Sequence, residues 1–303
     1  MPDALVGGLV QPLPAATWVA NDTTQSNVSS TTYIAGSPTL ETTFVAPPSG
    51  AVLLTVGLSA RDDTGTNRIH LAPEIRVGSV TGSVALSANV ATRGVGIPGG
   101  IPNYVYRART TILTGLTPGT TYYARTMHKV SGGSTADINA RDLTIAPCPL
   151  GGAYAGQPVR AADWPPVAWT SDATTITNPT NTSYAAGSPA TSTTFVAPTS
   201  GRVLIIIGGG LGNSAGANRI FLSPEVRLTD ASGTVVLAPS VTNRGISSDN
   251  VAVGFHYGSR ESVLEGLTPG QTYFIRTMHA VATDGGTNTG DIEHRDLGVV
   301  ALP

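Results

Sequence analysis

An internal duplication constrains the fold of this chain more than any other feature of its sequence. Three blocks of the first half recur in the second half at a constant offset of 151 residues: 32–50, 67–77 and 115–130 return as 183–201, 218–228 and 266–281. A repeat of this length is too long for a solenoid unit and corresponds to a whole domain. The sequence therefore predicts two tandem copies of one fold.

The duplication also sets the domain boundaries that we expect. They give a first copy with an N-terminal arm, a linker and a second copy, at residues 1–147, 148–167 and 168–303. The offset grows to 154 only for the last shared block, DINARDL at 137–143 and DIEHRDL at 291–297. The extra residues fall between Val281 and Asp291, in a Gly- and Thr-rich stretch typical of a hairpin tip, where insertions are tolerated.

Each copy has the sequence pattern of a β-sandwich. Residues 52–58 and 203–209 are short apolar runs rich in β-branched side chains, and 121–130 alternates with a period of two. The GLTPG motif that precedes this alternating segment is a turn, because Pro fixes φ and Gly accepts positive φ. No segment combines a 3.6-residue period with capping residues. We therefore predict an all-β protein with two tandem homologous jelly-roll-like β-sandwich domains of about eight strands each.

Composition excludes several classes of function. Only 12% of residues are charged and the net charge is −2, so the basic surface that nucleic-acid binding needs is missing. The single cysteine, Cys148, excludes an intrachain disulfide framework and a Cys-based zinc site; we expect an inert thiol, with an interchain disulfide as the alternative. The first residues lack a basic start and no apolar run reaches 18 residues, so we expect neither a signal peptide nor membrane insertion.

A small set of polar and sulfur-containing residues is kept in both copies of a chain that is otherwise poor in charge. The set is Arg68, Glu74, Arg76, Arg125, Met127, His128, Arg141 and Asp142 in the first copy and Arg219, Glu225, Arg227, Arg276, Met278, His279, Arg295 and Asp296 in the second. Arg93/Arg244 and Arg109/Arg260 recur as well. We expect ion pairs between strands or across a subunit interface, because the planar guanidinium can bind a carboxylate at two points. Binding of an anionic or sugar ligand is the alternative.

The four residues Arg125–His128 (RTMH) recur as Arg276–His279, on the alternating strand. We expect a packed Met beside the Arg stem and a half-buried, hydrogen-bonded His. A metal ligand or general base is disfavoured, because no second His or paired carboxylate recurs near it. Acids beside an Arg in the same strand favour ion pairing over acid catalysis.

No motif in the sequence indicates catalysis, a cofactor or a metal. G-x-S-x-G, H-E-x-x-H and P-loop patterns are missing. The segment 62–67 has a weak likeness to a calcium loop, but its acids are not kept at 212–217 and the EF-hand spacing is not met. We therefore expect no catalytic, cofactor-binding or metal-ligating residues.

The repeated blocks resemble a known group of proteins. The series T-T-F-V-A-P-x-S-G, N-R-I-x-L-x-P-E-[IV]-R, G-L-T-P-G-x-T-Y-[YF]-x-R-T-M-H and a closing R-D-L, over residues 17–147 and 168–303, resembles domains of minor tail and other virion structural proteins of phages that infect actinobacteria. The resemblance implies a non-enzymatic role, assembly with other virion proteins, and a place in the virion, in the tail rather than the capsid, with release into the medium after host lysis. The predicted jelly-roll fold also resembles trimeric knob-like domains, so a homo-oligomer is expected, with a trimer favoured.

Other classes of function stay open. A carbohydrate- or host-surface-binding module could stack sugars on Trp18, Trp164, Trp169, Tyr104 or Tyr106, although Trp18 and Trp169 occupy equivalent positions and are expected to pack. A capsid decoration protein is a further alternative, and a secreted enzyme is the third class. The sequence thus predicts a virion structural protein, with a host-surface glycan as the alternative partner.

Overall fold

The prediction of an all-β protein is confirmed. The computed structural model describes residues 16–62, 67–132, 135–148, 167–213, 218–248, 254–283 and 290–302. In these ranges nearly every element is a strand, and the two helices, Val90–Arg93 (α1) and Val241–Arg244 (α2), are single turns. The predicted boundaries between copies stay a prediction, since most of the expected linker lies outside the described residues.

The described part of the first copy contains eleven strands. They are β1 Thr17–Asn21, β2 Gln25–Val28, β3 Ile34–Ala35, β4 Glu41–Val45, β5 Val52–Arg61, β6 Ile69–Val77, β7 Val84–Leu86, β8 Val95–Ile97, β9 Val105–Leu113, β10 Thr121–Val130 and β11 Ala136–Pro147.

The described part of the second copy contains ten strands. They are β12 Ala168–Asp172, β13 Ala185–Ala186, β14 Ser192–Val196, β15 Val203–Asn213, β16 Ile220–Leu228, β17 Val235–Leu237, β18 Ile246–Ser247, β19 Gly254–Leu264, β20 Thr272–Val281 and β21 Asp291–Ala301. An isolated bridge between Ile176 and Ile292 stands where the first copy has β2.

Each copy is a sandwich of two antiparallel sheets. Sheet I of the first copy has the order β1-β11-β5-β9, and sheet I of the second copy has the equivalent order β12-β21-β15-β19. Sheet II of the first copy is β8-β6-β10-β3, and sheet II of the second contains β18, β16, β20 and β13. This common topology is the structural expression of the sequence repeat.

The core of each copy lies between its two sheets. In β5, the alternate residues Val52, Leu54 and Val56 are buried in the first core together with Ile75 and Ala124 from sheet II. An equivalent cluster around Ile205, Val226 and Ile275 fills the second copy. The remaining residues of β5 and β15 point to the opposite face of sheet I, as the period of two requires.

The repeated motifs have defined structural roles. In GLTPG, Gly115 and Gly119 take positive φ, and the Tyr122 hydroxyl accepts a hydrogen bond of 3.0 Å from the Thr117 amide. Tyr122 also stacks on Phe44 with ring centroids 5.6 Å apart, and the pair Phe195–Tyr273 repeats this geometry. The TTFVAP and GLTPGxTY blocks therefore recur together because they form one packed corner.

The two copies share one continuous sheet. Tyr257 of β19 pairs with Gly96 of β8, so sheet I of the second copy continues into sheet II of the first. The result is a ten-stranded sheet that crosses the junction. The two sandwiches are thus joined by backbone pairing as well as by side chains. Within the described ranges there is no helix long and apolar enough to cross a membrane.

Candidate functional site: the interface between the copies

The Arg of the RTMH block binds the Glu of the PE[IV]R block. Glu74 on β6 lies opposite Arg125 on β10, and its Oε1 accepts hydrogen bonds of 2.8 Å from Arg125 Nε and from Arg76 Nε. Glu225 forms the same pairs with Arg276 and Arg227 at 2.7 and 2.8 Å. Burial alone would raise the pKa of Glu74, but the two guanidinium groups outweigh it and the pKa lies below its usual range. These residues thus bind one another across adjacent strands.

The histidine of the RTMH block is more buried than we expected. His128 is fully buried rather than half-buried, and its Nδ1 has no hydrogen-bond partner among the described residues. Burial lowers its pKa to about 4, with a further contribution from Arg141. The expectation of a half-buried side chain was wrong, because the residue lies on the core face of β10. The neutral imidazole fills space there.

The closing RDL block places Arg and Asp on opposite faces of one strand. Arg141 is buried and donates to Asn21 Oδ1 and Pro38 O at 2.9 and 3.1 Å, whereas Asp142 accepts 2.7 Å from the Tyr106 hydroxyl. The expected pairing of Asp142 with the neighbouring Arg is therefore wrong, because successive residues of a strand point apart.

The AGSP block explains how a buried Arg is accommodated. A Cβ at Gly36 would lie 1.8 Å from Nη1 of Arg141, and one at Gly187 would lie 2.0 Å from Nη1 of Arg295. Arg295 is buried as well and donates to Asp172. The motif thus provides the space that the Arg of RDL occupies in each copy.

The other residues singled out by the repeat are buried in their sheets or make separate contacts near the ends of strands. Met127, Met278 and His279 are buried in their sheets. The Arg68 amide donates 2.9 Å to Ser131 Oγ, and the exposed Arg219 lies 5.5 Å from the Phe221 ring centroid. In the described ranges, no group of three or more His, Cys, Asp or Glu could hold a metal ion. The repeated residues therefore do not converge on one cleft.

One repeated acid does join the two copies. Asp296 on β21 of the second copy is completely buried and pairs with Arg109 on β9 of the first. His294 Nε2 lies 2.7 Å from the other carboxylate oxygen. Burial raises the pKa of Asp296, but Arg109 and His294 outweigh that effect and lower the pKa overall. The repeat marked Arg109 and Arg260 alike, so it did not by itself single out Arg109 as the residue that joins the copies.

Hydrogen bonds to three backbone carbonyls of the first copy position the Arg109 guanidinium. It donates to the backbone carbonyls of Val90, Gly94 and Ala91 at 2.8, 3.0 and 3.1 Å. These carbonyls belong to α1 and the turn that follows it. The helix turn therefore fixes the cation at the edge of the first sandwich.

A second cation contact lies beside this ion pair. The Arg93 guanidinium carbon is 5.5 Å from the ring centroid of Trp169 on β12, and Arg93 Nη1 donates 2.7 Å to Ile112 O. Trp169 and Ile112 belong to a buried cluster that also includes Leu53 and Val300. The expectation that Trp169 packs is met, and its packing partner is the other copy.

The apolar part of this interface comes from sheet I of both copies. Cys148, completely buried in the same cluster, has its thiol pKa raised to about 12 by burial, so the thiol is protonated and inert. Gly298 lies directly against Ile112, since a Cβ there would come within 2.8 Å of Ile112 Cδ1. The Thr110 amide also donates 2.8 Å to Ser259 Oγ across the junction.

The equivalent residues on the far sides of the two copies make no such contact. Trp18, the first-copy equivalent of Trp169, is 68% exposed, and Val263, the second-copy equivalent of Ile112, is 39% exposed. The expectation that Trp18 packs is therefore wrong. Its strand, β1, carries it on the outer face of sheet I, which no neighbouring sandwich covers at this point.

The cations of the second copy are nevertheless held in the same way. Arg260 donates to the carbonyls of Val241, Gly245 and Thr242 at 3.0, 3.1 and 3.3 Å, as Arg109 does to their equivalents. Arg244 donates 2.9 Å to Val263 O, as Arg93 does to Ile112 O. The second copy therefore positions Arg244 and Arg260 as the first copy positions Arg93 and Arg109. Among the described residues of the first copy, however, neither guanidinium has a side-chain partner.

An open groove of about 430 Å³ lies at the junction of the copies. Tyr106 and Ala108 line it from the first copy, and Ser247, His256 and Tyr257 line it from the second. Tyr106 is 57% exposed and Tyr104 is 37% exposed, with the Arg61 guanidinium 4.9 Å from the Tyr104 ring centroid. Trp164 lies outside the described residues. The groove thus offers an accessible aromatic edge.

Comparisons with known proteins show similarity at the level of fold alone. No family model matches the chain, and no curated protein matches it. Among solved structures, it is similar to a tandem of two CBM22 domains of Xyn10C from Paenibacillus barcinonensis, at 10% identity and a TM-score of 0.26, covering 94% of this chain and 93% of that one.

Two further structures show the same range of similarity. PNGase F, a glycosylasparaginase from Flavobacterium meningosepticum, matches at 12% identity and a TM-score of 0.39, covering 95% of this chain and 96% of that one. The VP2 subviral particle of infectious bursal disease virus matches at 12% identity and a TM-score of 0.31, covering 92% and 72%. A glycosylasparaginase, a tandem of CBM22 domains and a viral particle protein all fall within this range of similarity.

Proposed function

We propose that the chain is a non-enzymatic structural component of a virion, a minor tail or tail-tip protein of a phage, that assembles symmetrically with its own copies. A single observation carries the proposal: the polar residues kept in both copies contact one another, the backbone or the adjoining copy, and do not line a common cleft. Residues retained in this way serve the fold and its contacts. Other virion proteins and further copies of the chain are the partners we infer.

The character of the surface supports this role. Carboxylates that could act as acids, such as Glu74 and Glu225, are each held between two guanidinium groups that lower their pKa, which opposes general-acid catalysis at neutral pH. With only 12% charged residues, the chain can pack against copies without desolvating many ions. Three chains would present six similar sandwiches, which fits a threefold or sixfold part of a particle.

Gold labelling of phage particles tests the proposal. Antibodies against the purified chain should label the tails of intact particles of the phage that encodes it. Labelling confined to capsids would favour a decoration protein over a tail protein. Unlabelled particles, together with turnover of a glycan panel by the purified chain, would contradict a structural role.

The exposed aromatic residues favour one second candidate function, the binding of a carbohydrate on the host surface. Trp18 and Tyr106 lie on sheet I of the first copy with exposed fractions of 68% and 57%. Aromatic faces stack on sugar rings, and the groove at the junction would hold polar groups of such a ligand. Glycan-array binding that is lost in Tyr106→Ala but kept in Tyr106→Phe would show a ligand stacked on the Tyr106 ring.

A further inference from the structure

The contact between the two copies is approximately two-fold. The equivalent strands β9 and β19 lie against each other, and the Thr110 amide donates 2.8 Å to Ser259 Oγ between them. Leu53 and Leu204, which are equivalent in the repeat, contribute to one apolar cluster. A two-fold contact uses the same surface on both partners, so each contact should have an equivalent counterpart. A contact that lacks its counterpart therefore marks a place where the two copies differ.

The groove at the junction is such a place. On one side of the contact, Tyr257 of β19 pairs with Gly96 of β8, and its ring centroid lies 6.0 Å from that of His70. The equivalent residues are Tyr106 on β9 and Ser247 on β18. Among the described residues no strand pairing joins β9 to β18, and these two residues instead line the groove of about 430 Å³. Tyr257 is 3% exposed and Tyr106 is 57% exposed, so the groove is the open counterpart of a closed contact.

A single glycine explains why one side closes and the other stays open. A Cβ at Gly96 would lie 2.9 Å from Cδ2 of Tyr257, so the ring fits at the junction because position 96 lacks a side chain. Ser247, at the equivalent position, has a Cβ that excludes the same placement of Tyr106. The Tyr106 hydroxyl instead donates 2.7 Å to Asp142 Oδ2, and its ring remains accessible. The substitution of Ser for Gly thus keeps the groove open.

We propose that this groove binds a neutral oligosaccharide, with one sugar ring stacked on Tyr106. The inference rests on carbohydrate binding, the second candidate function, and specifies both its site and its ligand. The volume of the groove lies within the range of about 300–1,000 Å³ that is usual for small-ligand sites. The accessible phenol ring offers a face for stacking, and the second copy contributes the exposed Ser247 hydroxyl as a polar contact.

The charges around the groove favour a neutral ligand over an anionic one. Three of the hydroxyl groups that line the groove donate to carboxylates, in the pairs Tyr106–Asp142, Tyr257–Glu293 and Ser259–Glu261. Arg107 is the one arginine or lysine among the described lining residues. Carboxylates repel an anionic sugar, whereas the hydroxyls of a neutral sugar can donate hydrogen bonds to them. The excess of carboxylates therefore selects a neutral sugar.

Binding of neutral oligosaccharides to the full chain tests the proposal. A glycan array selects the probe, and titration calorimetry measures its affinity for the wild type and the variants. Tyr106→Ala should weaken binding about tenfold or more, whereas Tyr106→Phe, which keeps the ring, should bind as the wild type does. Ser247→Trp places a bulky side chain in the groove and should abolish binding. Trp18→Ala is the matched control, because Trp18 is exposed on a different strand, β1, and its removal should leave the affinity unchanged.

The outcomes separate this site from the function on which it rests. A glycan that still binds both Tyr106→Ala and Ser247→Trp would overturn the groove, and its loss in Trp18→Ala would place carbohydrate binding on the outer face of sheet I instead. Preferential binding of acidic glycans would overturn the neutral ligand. A wild-type chain that binds no glycan on the array would contradict both the site and the carbohydrate function, whereas particle labelling decides the structural role separately.

Discussion

The two copies of the repeat have the same residues at the same positions but different surroundings. Arg109 and Arg260 bind equivalent backbone carbonyls, yet only Arg109 reaches a buried carboxylate. Trp169 and Trp18 occupy equivalent strands, yet one is packed and the other is 68% exposed. The role of these repeated residues therefore depends on whether their surface meets the adjoining copy.

The largest difference in the free energy of unfolding should appear between the Ala variants of the equivalent residues Arg109 and Arg260. Arg109→Ala leaves Asp296 buried and without its main counter-charge, and breaking a buried pair costs about 3–5 kcal/mol in the free energy of unfolding. Arg260→Ala removes equivalent carbonyl contacts at a half-exposed site and should cost about 1 kcal/mol. Urea unfolding of both variants measures the difference. Equal losses would mean that the carbonyl contacts, and not the ion pair, stabilise the edge.

A smaller difference in the free energy of unfolding is expected between Trp169→Ala and Trp18→Ala. Trp169→Ala removes the partner of Arg93 and Ile112 in a half-buried position and should cost about 2 kcal/mol. Trp18→Ala should change the free energy of unfolding by less than about 0.5 kcal/mol in dilute solution, where copies do not associate. Comparable losses at both positions would show that Trp18 packs within its own chain.

Low pH should reduce the contribution of the Arg109–Asp296 ion pair to the free energy of unfolding. The pKa of Asp296 in the folded state is lowered, so its stabilisation is present above the unfolded pKa of about 3.9 and is lost as pH falls through the folded value. The free energy of unfolding of the wild type should therefore exceed that of Asp296→Asn most at pH 6, and the gap should narrow toward pH 3. The Asp142→Asn variant serves as the comparison, and a gap independent of pH would contradict an ionised Asp296.

The smallest effect is expected from single methyl groups. Ile112→Val removes the Cδ1 atom that lies against Gly298 and should cost about 1 kcal/mol. Val263→Ile adds the same atom to an exposed site and should be nearly neutral in dilute solution. Thermal unfolding in parallel measures both, and a destabilising Val263→Ile would indicate that position 263 is covered within the chain.

The tandem organisation, the all-β class and the alternation of each strand could be predicted from the amino-acid sequence. This was possible because the period of two and the Gly and Pro turns are local properties of the chain. The same local patterns identified Glu74 and Arg125 as residues that the fold requires, and the pairing of β6 with β10 brings them together.

Which copy of each residue joins the two sandwiches follows from the packing of the folded chain. The sequence shows Arg109 and Arg260 as equals, and it shows Trp18 and Trp169 as equals, because a repeat carries no information about its neighbours. Burial depends on the relative placement of the two copies, and that placement is set by contacts between residues far apart in the chain, such as Arg109 with Asp296. Small departures from the repeat, Gly298 for Thr144 and His294 for Ala140, were the signals that could have revealed it.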